Sequence, residues 1–248
     1  MPFQETESLT LRAYDYGDTS QVVHLLTESS GKIHVIAKGA RRPKNSFQGP
    51  LDLLVHGRAG FYPRPKTGLH LLGTFEVLDA FPRTRSELSR YYVACHVLEA
   101  LHEATRQEQP GRRAFALGLA ALRVVEKSRD PARVVPVFHA DLLRQLGTAP
   151  RLDACVSCET PIEEVRSARL SPTHGGLLCE GCHPGDRMAL EVSPEVAGRL
   201  AELMVLPFRE GLQVEMEEGV RGRVRGLLAG LLRFVLEKDL RTLRWVGQ

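Results

Sequence analysis

The sequence predicts an α+β chain: an N-terminal five-stranded β-barrel, then an all-α helical bundle with a four-cysteine zinc-binding element inserted in it. Three observations carry this expectation. Short apolar, β-branched runs separated by turn residues fill the first eighty positions, the pattern of a small barrel. Beyond Phe81-Pro82 apolar residues recur at helical spacing. Two Cys-x2-Cys pairs then fall in a stretch rich in Pro, Gly and Ser. The expected segments are residues 1–80 (barrel), 81–150 (first helical part), 151–186 (metal insert) and 187–248 (second helical part).

The strands are expected at Ser8–Tyr14, Gln21–Thr27, Lys32–Lys38, Leu51–Ala59 and Leu69–Leu78. Turn signals divide them at Tyr16-Gly17-Asp18, Ser29-Ser30-Gly31, Gln48-Gly49-Pro50 and Pro63 through Gly68. Five such strands fit an OB-fold or an SH3-like barrel, and composition alone does not separate the two. Helices are expected at Ser86–Gln107, Arg112–Lys127 and Ala132–Leu146, with Asp130 as N-cap of the third and Pro136 shifting its start or kinking it. After the insert, Ser193-Pro194-Glu195 opens a helix that Pro207 stops, and a last helix runs from about Glu217 to Leu240.

Composition narrows the class. Of 248 residues, 43% are hydrophobic and 25% charged, which is ordinary for a folded chain and excludes disorder. The net charge is +3. Met1–Thr10 has no apolar signal-peptide core, and no run approaches a membrane span. A cytoplasmic, nucleoid-associated protein with no membrane partner is therefore expected. Its thiols would be reduced, so the five cysteines are not a disulfide framework.

Cys155, Cys158, Cys179 and Cys182 form two knuckles twenty residues apart. Each knuckle offers two thiolates from a tight turn, and two knuckles close a tetrahedron around zinc. A closed all-cysteine shell leaves no position for water or substrate, so the expected Zn2+ is structural. His174 or His183 in place of one cysteine is the main alternative, with iron–sulfur and redox roles behind it. Cys95 stands alone on a helical stripe and reads as a small apolar side chain.

Charge is unevenly spread. Lys32 to Lys66 carries Lys32, Lys38, Arg41, Arg42, Lys44, Arg58, Arg64 and Lys66 against one acid, Asp52. Gly39 and Pro43 make Lys38–Lys44 a loop, and four cations on a loop suit phosphates. Phe47, Phe61 and Tyr62 are nearby candidates for base stacking. The candidate DNA-binding set is Lys38, Arg41, Arg42, Lys44, Arg58, Arg64 and Lys66. A second basic run, Arg221 to Arg244, lies opposite an apolar face and reads first as the solvated side of a bundle helix.

A strand ending in Lys38-Gly39-Ala40-Arg41-Arg42, with Leu51 opening the next strand of an N-terminal barrel and a Cys-x2-Cys pair in a later helical region, resembles the RecO family of DNA repair proteins. The likeness covers essentially the whole chain and lies in the combination and order of parts. It implies an OB-fold, a helical domain and a zinc element. It also implies binding of single- and double-stranded DNA, strand annealing, action with RecR, help to RecA in replacing single-strand-binding protein (SSB), and contact with the acidic SSB C-terminal tail. Lys38, Arg41, Arg42 and the four cysteines carry over; nothing in the sequence locates the RecR or SSB surfaces.

No catalytic constellation stands out. The sequence has no phosphate-binding G-x-x-x-x-G-K-[ST], no H-E-x-x-H and no G-x-S-x-G. His24, His34, His56 and His70 fall in the barrel and read as ordinary surface or core residues. The expectation is a non-enzymatic mediator. The competing readings are a zinc-containing nucleic-acid-processing enzyme and a scaffold that holds acidic peptides.

Overall fold

The computed structural model describes residues 2–47, 51–64 and 66–246. The turn expected at Gln48-Gly49-Pro50 lies outside the described residues, as does Pro65 of the turn expected at 63–68. The chain packs as two compact units, 1–132 with 240–248, and 133–239. The boundaries read from composition mark changes of texture. Packing instead groups the first three helices with the barrel.

In the first unit five strands close a barrel: β1 (Gln4–Tyr16), β2 (Ser20–Thr27), β3 (Gly31–Ala37), β4 (His56–Tyr62) and β5 (Leu69–Asp79). The order is β1-β2-β3-β5-β4, with β4 returning to β1. All pairs are antiparallel except β3 with β5. This is a Greek-key barrel of the OB type. Alternation sorts the faces. Val23, Leu25, Ile33, Val35, Ala59, Phe61, Leu72 and Phe75 fill the interior, while the residues between them turn outward.

Gly31 fixes the β2–β3 turn. Its φ is +67°, and a Cβ there would lie 1.7 Å from the carbonyl oxygen of Gln109. Only glycine permits both the conformation and the approach.

One strand departs from expectation. Leu51, Leu54 and Val55 are buried, but residues 51–55 form no strand, and β4 begins at His56. Among the described residues only Thr10 of β1 pairs with the backbone of this segment, donating to the Val55 carbonyl at 2.9 Å and accepting from Leu54 N at 3.4 Å, and side chains take up much of the rest. Gln21 accepts from Leu51 N at 2.8 Å and donates to its carbonyl at 3.2 Å. Arg85 donates to the carbonyls of Leu53 and Leu54 and pairs with Asp52 at 2.7 Å. Leu54 itself has φ +60°. A hydrophobic run therefore looks like a strand in sequence while serving as a buried loop.

Helices α1 (Pro82–Ser86), α2 (Leu88–Ala104) and α3 (Arg112–Lys127) follow. Buried Arg90 joins them. Its Nη1 donates to the carbonyls of Val125 and Ser128 at 2.6 and 2.5 Å, capping the end of α3. The C-terminal 3-10 turn Arg241–Trp245 returns to this unit, where Trp245 stacks on Tyr92 at 5.6 Å.

In the second unit a 3-10 turn, Pro131–Arg133 at its edge, leads into α4 (Val134–Gln145). Arg133, and not Asp130, holds the N-cap position of α4; Pro136 lies in the first turn of α4, where a missing N–H costs nothing. Beyond it come α5 (Pro194–Val205), the short α6 (Phe208–Gly211) and α7 (Glu218–Leu236). Ser193 caps α5 through Val196 N, and Glu237 at φ +52° ends α7 before the expected Leu240. Between α4 and α5 lies a three-stranded ribbon, β6 (Ala168–Ser171), β7 (Gly176–Cys179) and β8 (Leu190–Val192), in the order β7-β6-β8.

Candidate nucleic-acid interface and metal centre

The loop after β3 and the turn after β1 leave the barrel together. Arg41 N donates to the Thr19 carbonyl at 3.0 Å, and Gly39 N to Ser20 Oγ at 3.4 Å. Ala40 is fully buried and pins the loop to the core, which leaves Lys38, Arg41, Arg42 and Lys44 exposed. Arg41 shares its charge with Asp15 at 3.3 Å. Among the described residues no carboxylate lies within ion-pair distance of Lys38, Arg42 or Lys44.

The other three candidates do not join this group. Arg58 points outward from β4 and pairs with Glu76, its cross-strand partner on β5, at 3.0 Å. Arg64 and Lys66 are exposed before β5. Because β3 and β5 run parallel, a loop leaving β3 and a loop entering β5 emerge at opposite ends of that pair. Lys32, counted in the same charge run, is buried and donates to the His102 carbonyl at 2.6 Å.

Two of the expected stacking rings are also placed otherwise. Phe47 and Phe61 belong to the barrel core and present no face to a ligand. Tyr62 is exposed and leans on Phe3 at 5.1 Å. The exposed rings beside the cationic loop are Tyr14 and Tyr16, which the sequence reading passed over. The signal was present: Tyr at alternate positions ending a strand, just before Gly17-Asp18.

The barrel histidines take structural partners. His56 meets Glu7 at 2.9 Å, and His70 meets Glu108 at 3.4 Å. His24 stacks on His34 at 3.7 Å, and its Nδ1 lies 2.9 Å from His102 Nε2. Burial, and then neighbouring positive groups, lower His24 and His102 to about 4. Both imidazoles are therefore neutral at pH 7.

In the second unit the two knuckles converge. The four cysteine sulfurs all lie within 4.8 Å of one another. Sulfurs held at about 2.3 Å by one ion stand roughly 3.8 Å apart, and Cys158 Sγ is 3.7 Å from Cys179 Sγ, far beyond a disulfide bond. Cys179 N donates to Cys155 Sγ at 3.4 Å. Burial pushes the Cys155 thiol up, but amides of Cys158, Cys179 and Ser157 outweigh it and bring it down to about 6. For Cys182 the Ser157 hydroxyl pulls down, yet Cys179 and Cys158 push it up to about 12. So many sulfurs at such separations cannot all ionise without a cation, and the donor set fits a thiophilic metal ion.

Among the described residues neither His174 nor His183 joins the cluster, which removes the mixed ligand set. His174 Nδ1 instead faces Asp186 at 3.2 Å. That carboxylate also accepts from Ser171, from Thr173 at 2.7 Å and from Met188 N at 2.8 Å, and the hydroxyl groups first of all hold it well below the usual carboxylate range. It ties the β6–β7 turn to the chain after the second knuckle. Cys95 lies apart on α2, half-buried, with burial raising its thiol.

The same unit has a half-open groove of about 730 Å³. Met188, Leu190, Gly230 and Phe234 form its apolar part, and Arg187, Arg233 and Lys238 line its edge. Arg233 also pairs with Asp239 at 2.9 Å. No helix among the described residues is long and apolar enough to cross a membrane.

Comparison with known proteins agrees with this architecture. The family model described as recombination protein O N terminal matches residues 1–81, and that described as recombination protein O C terminal matches 85–244. The chain is 29% identical to a DNA repair protein RecO of Roseiflexus sp. (strain RS-1), over 97% of this chain and 84% of the relative. It is 35% identical to one of Anaeromyxobacter sp. (strain K), over 80% and 76%, and 29% identical to one of Symbiobacterium thermophilum, over 98% and 96%. With an OB barrel, a helical part and a four-cysteine cluster in the order those models span, the chain belongs to the RecO family of DNA repair proteins.

Proposed function

We propose that the chain is a DNA-binding recombination mediator that works without chemical turnover. The observation that carries this reading is the cationic loop after β3. Lys38, Arg42 and Lys44 are exposed with no carboxylate in ion-pair reach among the described residues, and Arg41 is only partly neutralised. Such a loop binds phosphates of single- and double-stranded DNA without reading sequence and releases counterions as it does so. Two strands whose charge is screened in this way can approach and anneal. Arg64 and Lys66 offer a second, separate contact, and Arg58 contributes least because Glu76 holds it.

In this reading Cys155, Cys158, Cys179 and Cys182 hold a structural Zn2+, which stabilises the ribbon as a closed, substrate-free site. With RecR, the protein helps RecA replace SSB on single-stranded DNA. The groove beside Met188 and Phe234 favours a contact for the acidic C-terminal tail of SSB, since an apolar pocket with arginine and lysine at its edge suits an acidic peptide.

The test is an annealing assay on complementary strands, bare and SSB-coated, with metal analysis of the same protein. Accelerated annealing that Arg41→Glu/Arg42→Glu abolishes supports the reading. Annealing indifferent to that variant, or metal-dependent cleavage of the strands, refutes it.

A further inference from the structure

The outer face of β1, β2, β3 and β5 near the cationic loop has an unusual makeup. Ala13 packs against the barrel core, so alternation turns Tyr14 and Tyr16 outward. The registers then build rows across the sheet. Tyr14 lies opposite Val22, Val22 opposite Ile36, and Ile36 opposite Leu71. The adjacent row runs Arg12, His24, His34 and Leu69. Val22, Ile36, Leu71, His24 and His34 are half-buried, whereas their neighbours Val23, Val35 and Leu72 are in the core.

Tyr14 is 45% exposed and Tyr16 58% exposed. Hydrophobic collapse does not explain two large rings left in water at the end of a strand. Neighbouring side chains hold the Tyr14 ring in place. The Tyr14 ring meets the edge of His24 at 5.4 Å, and His24 in turn stacks on His34. Arg12 Nη1 donates to the Tyr14 hydroxyl at 3.3 Å while Nη2 pairs with Glu103 at 2.9 Å. Tyr16 lies opposite Ser20, whose hydroxyl accepts from Gly39 N, so the cationic loop starts beside this strand pair.

We propose that Tyr14 and Tyr16 are base-stacking platforms, and that with the adjoining loop they form a surface selective for unpaired strands. The inference rests on the DNA-binding reading above and specifies its ligand. Aromatic rings next to phosphate-holding cations are the usual means of gripping single strands, because every unpaired base offers a π-face. In a duplex those faces are covered by neighbouring base pairs, and only the backbone and groove edges remain for a protein. The loop cations hold either form; the tyrosines add affinity only for the open one.

The full chain is tested by fluorescence anisotropy on a labelled oligothymidine, an abasic strand of the same length and a duplex of the same length. Stacking is worth about 1–3 kcal/mol per base, so each lost ring should cost roughly 5- to 160-fold on oligothymidine, and Tyr14→Leu/Tyr16→Leu at least about 30-fold. It should match wild type on the abasic strand and the duplex. Tyr14→Phe/Tyr16→Phe keeps the rings and should retain oligothymidine affinity within about twofold. Where the double leucine variant melts early, Tyr16→Leu alone gives the same readout.

Oligothymidine affinity unchanged by loss of the rings, or an equal loss on the abasic strand, overturns the inference. Arg41→Glu/Arg42→Glu tests the underlying reading separately and should weaken all three probes. If it weakens none, the loop assignment falls and takes this inference with it. If it weakens all three while the leucine variant behaves as wild type, only the tyrosine assignment falls.

Discussion

Reversing Arg41 and Arg42 together removes two of the four cations that the loop after β3 exposes beside the β1–β2 turn. The expected effect follows from counterion release. Each phosphate contact on a single strand contributes roughly 0.7 to the slope of log affinity against log salt. Lys38, Arg41, Arg42 and Lys44 together then give a slope of about 2.8, or a loss of about 50-fold between ~50 and ~200 mM salt. The double variant retains two contacts, a slope of about 1.4 and a loss of only about 7-fold over the same range.

The ion pair of Arg41 with Asp15 at 3.3 Å supplies a control of opposite sign. Both partners are substantially exposed, so the pair itself contributes little to stability. Asp15→Asn frees Arg41 fully for phosphate and should tighten binding at low salt, with a slope no steeper than the value of about 2.8 for four full contacts. Titrating a labelled oligothymidine at several salt concentrations measures all three proteins. A double variant with the wild-type slope and unchanged folding, or an Asp15→Asn variant that binds more weakly, would refute the electrostatic reasoning.

Other expected outcomes involve the rest of the chain. Cys158→Ser should abolish stoichiometric zinc, and chelation should lower the Tm of wild type but not of the variant, as measured by metal analysis and thermal melts. The lowered His24 and His102 make stability depend on pH. The unfolded chain takes up these protons near 6.5 and the folded chain only near 4, so stability is complete above 6.5 and declines as pH falls through that window. The full separation corresponds to ~3 kcal/mol per imidazole, which solvent screening of these incompletely buried rings reduces to ~1 kcal/mol each; urea melts of wild type and His24→Leu across the window should differ in slope. Gly31→Ala forces both a positive φ and a collision with the Gln109 carbonyl, and a cost of ~2–4 kcal/mol in chemical denaturation is expected.

Much of the fold was legible because it rests on local pattern. Period-two alternation gave β1, β2, β3 and β5 to within a few residues, and Ser193-Pro194 marked the start of α5 through a cap that forms. The segment 51–55 misled because Leu51, Leu54 and Val55 are buried for a reason alternation does not encode. Much of its backbone is satisfied by the side chains of Gln21 and Arg85, about thirty residues away on either side, while Leu54 N and the Val55 carbonyl pair with Thr10 of β1. The place of α1 to α3 with the barrel was equally hidden. Apolar faces announce that helices must pack; they do not say against what. Gly118 of α3 shows the actual contact, since a Cβ there would meet Leu101 of α2 and Leu9 of β1.

The two candidate sites were legible to different degrees for one physical reason. Metal ligation is short-range, and each Cys-x2-Cys knuckle carries its geometry within four residues, so spacing alone foretold which sulfurs meet. A cationic surface has no such local rule. Lys32 to Lys66 reads as one charge run, yet the barrel threads it through β3 and β4. Lys32 is buried under α2, Arg58 meets Glu76, and Arg64 and Lys66 emerge away from Lys38 to Lys44. What the run lost in extent the fold returns in context: β1, far away in sequence, contributes Tyr14, Asp15 and Tyr16 to the loop's surroundings. On the proposed reading, a cationic loop with rings on one side and a carboxylate that restrains one arginine would be a tunable surface, its preference for open strands set by those neighbours more than by the number of its cations.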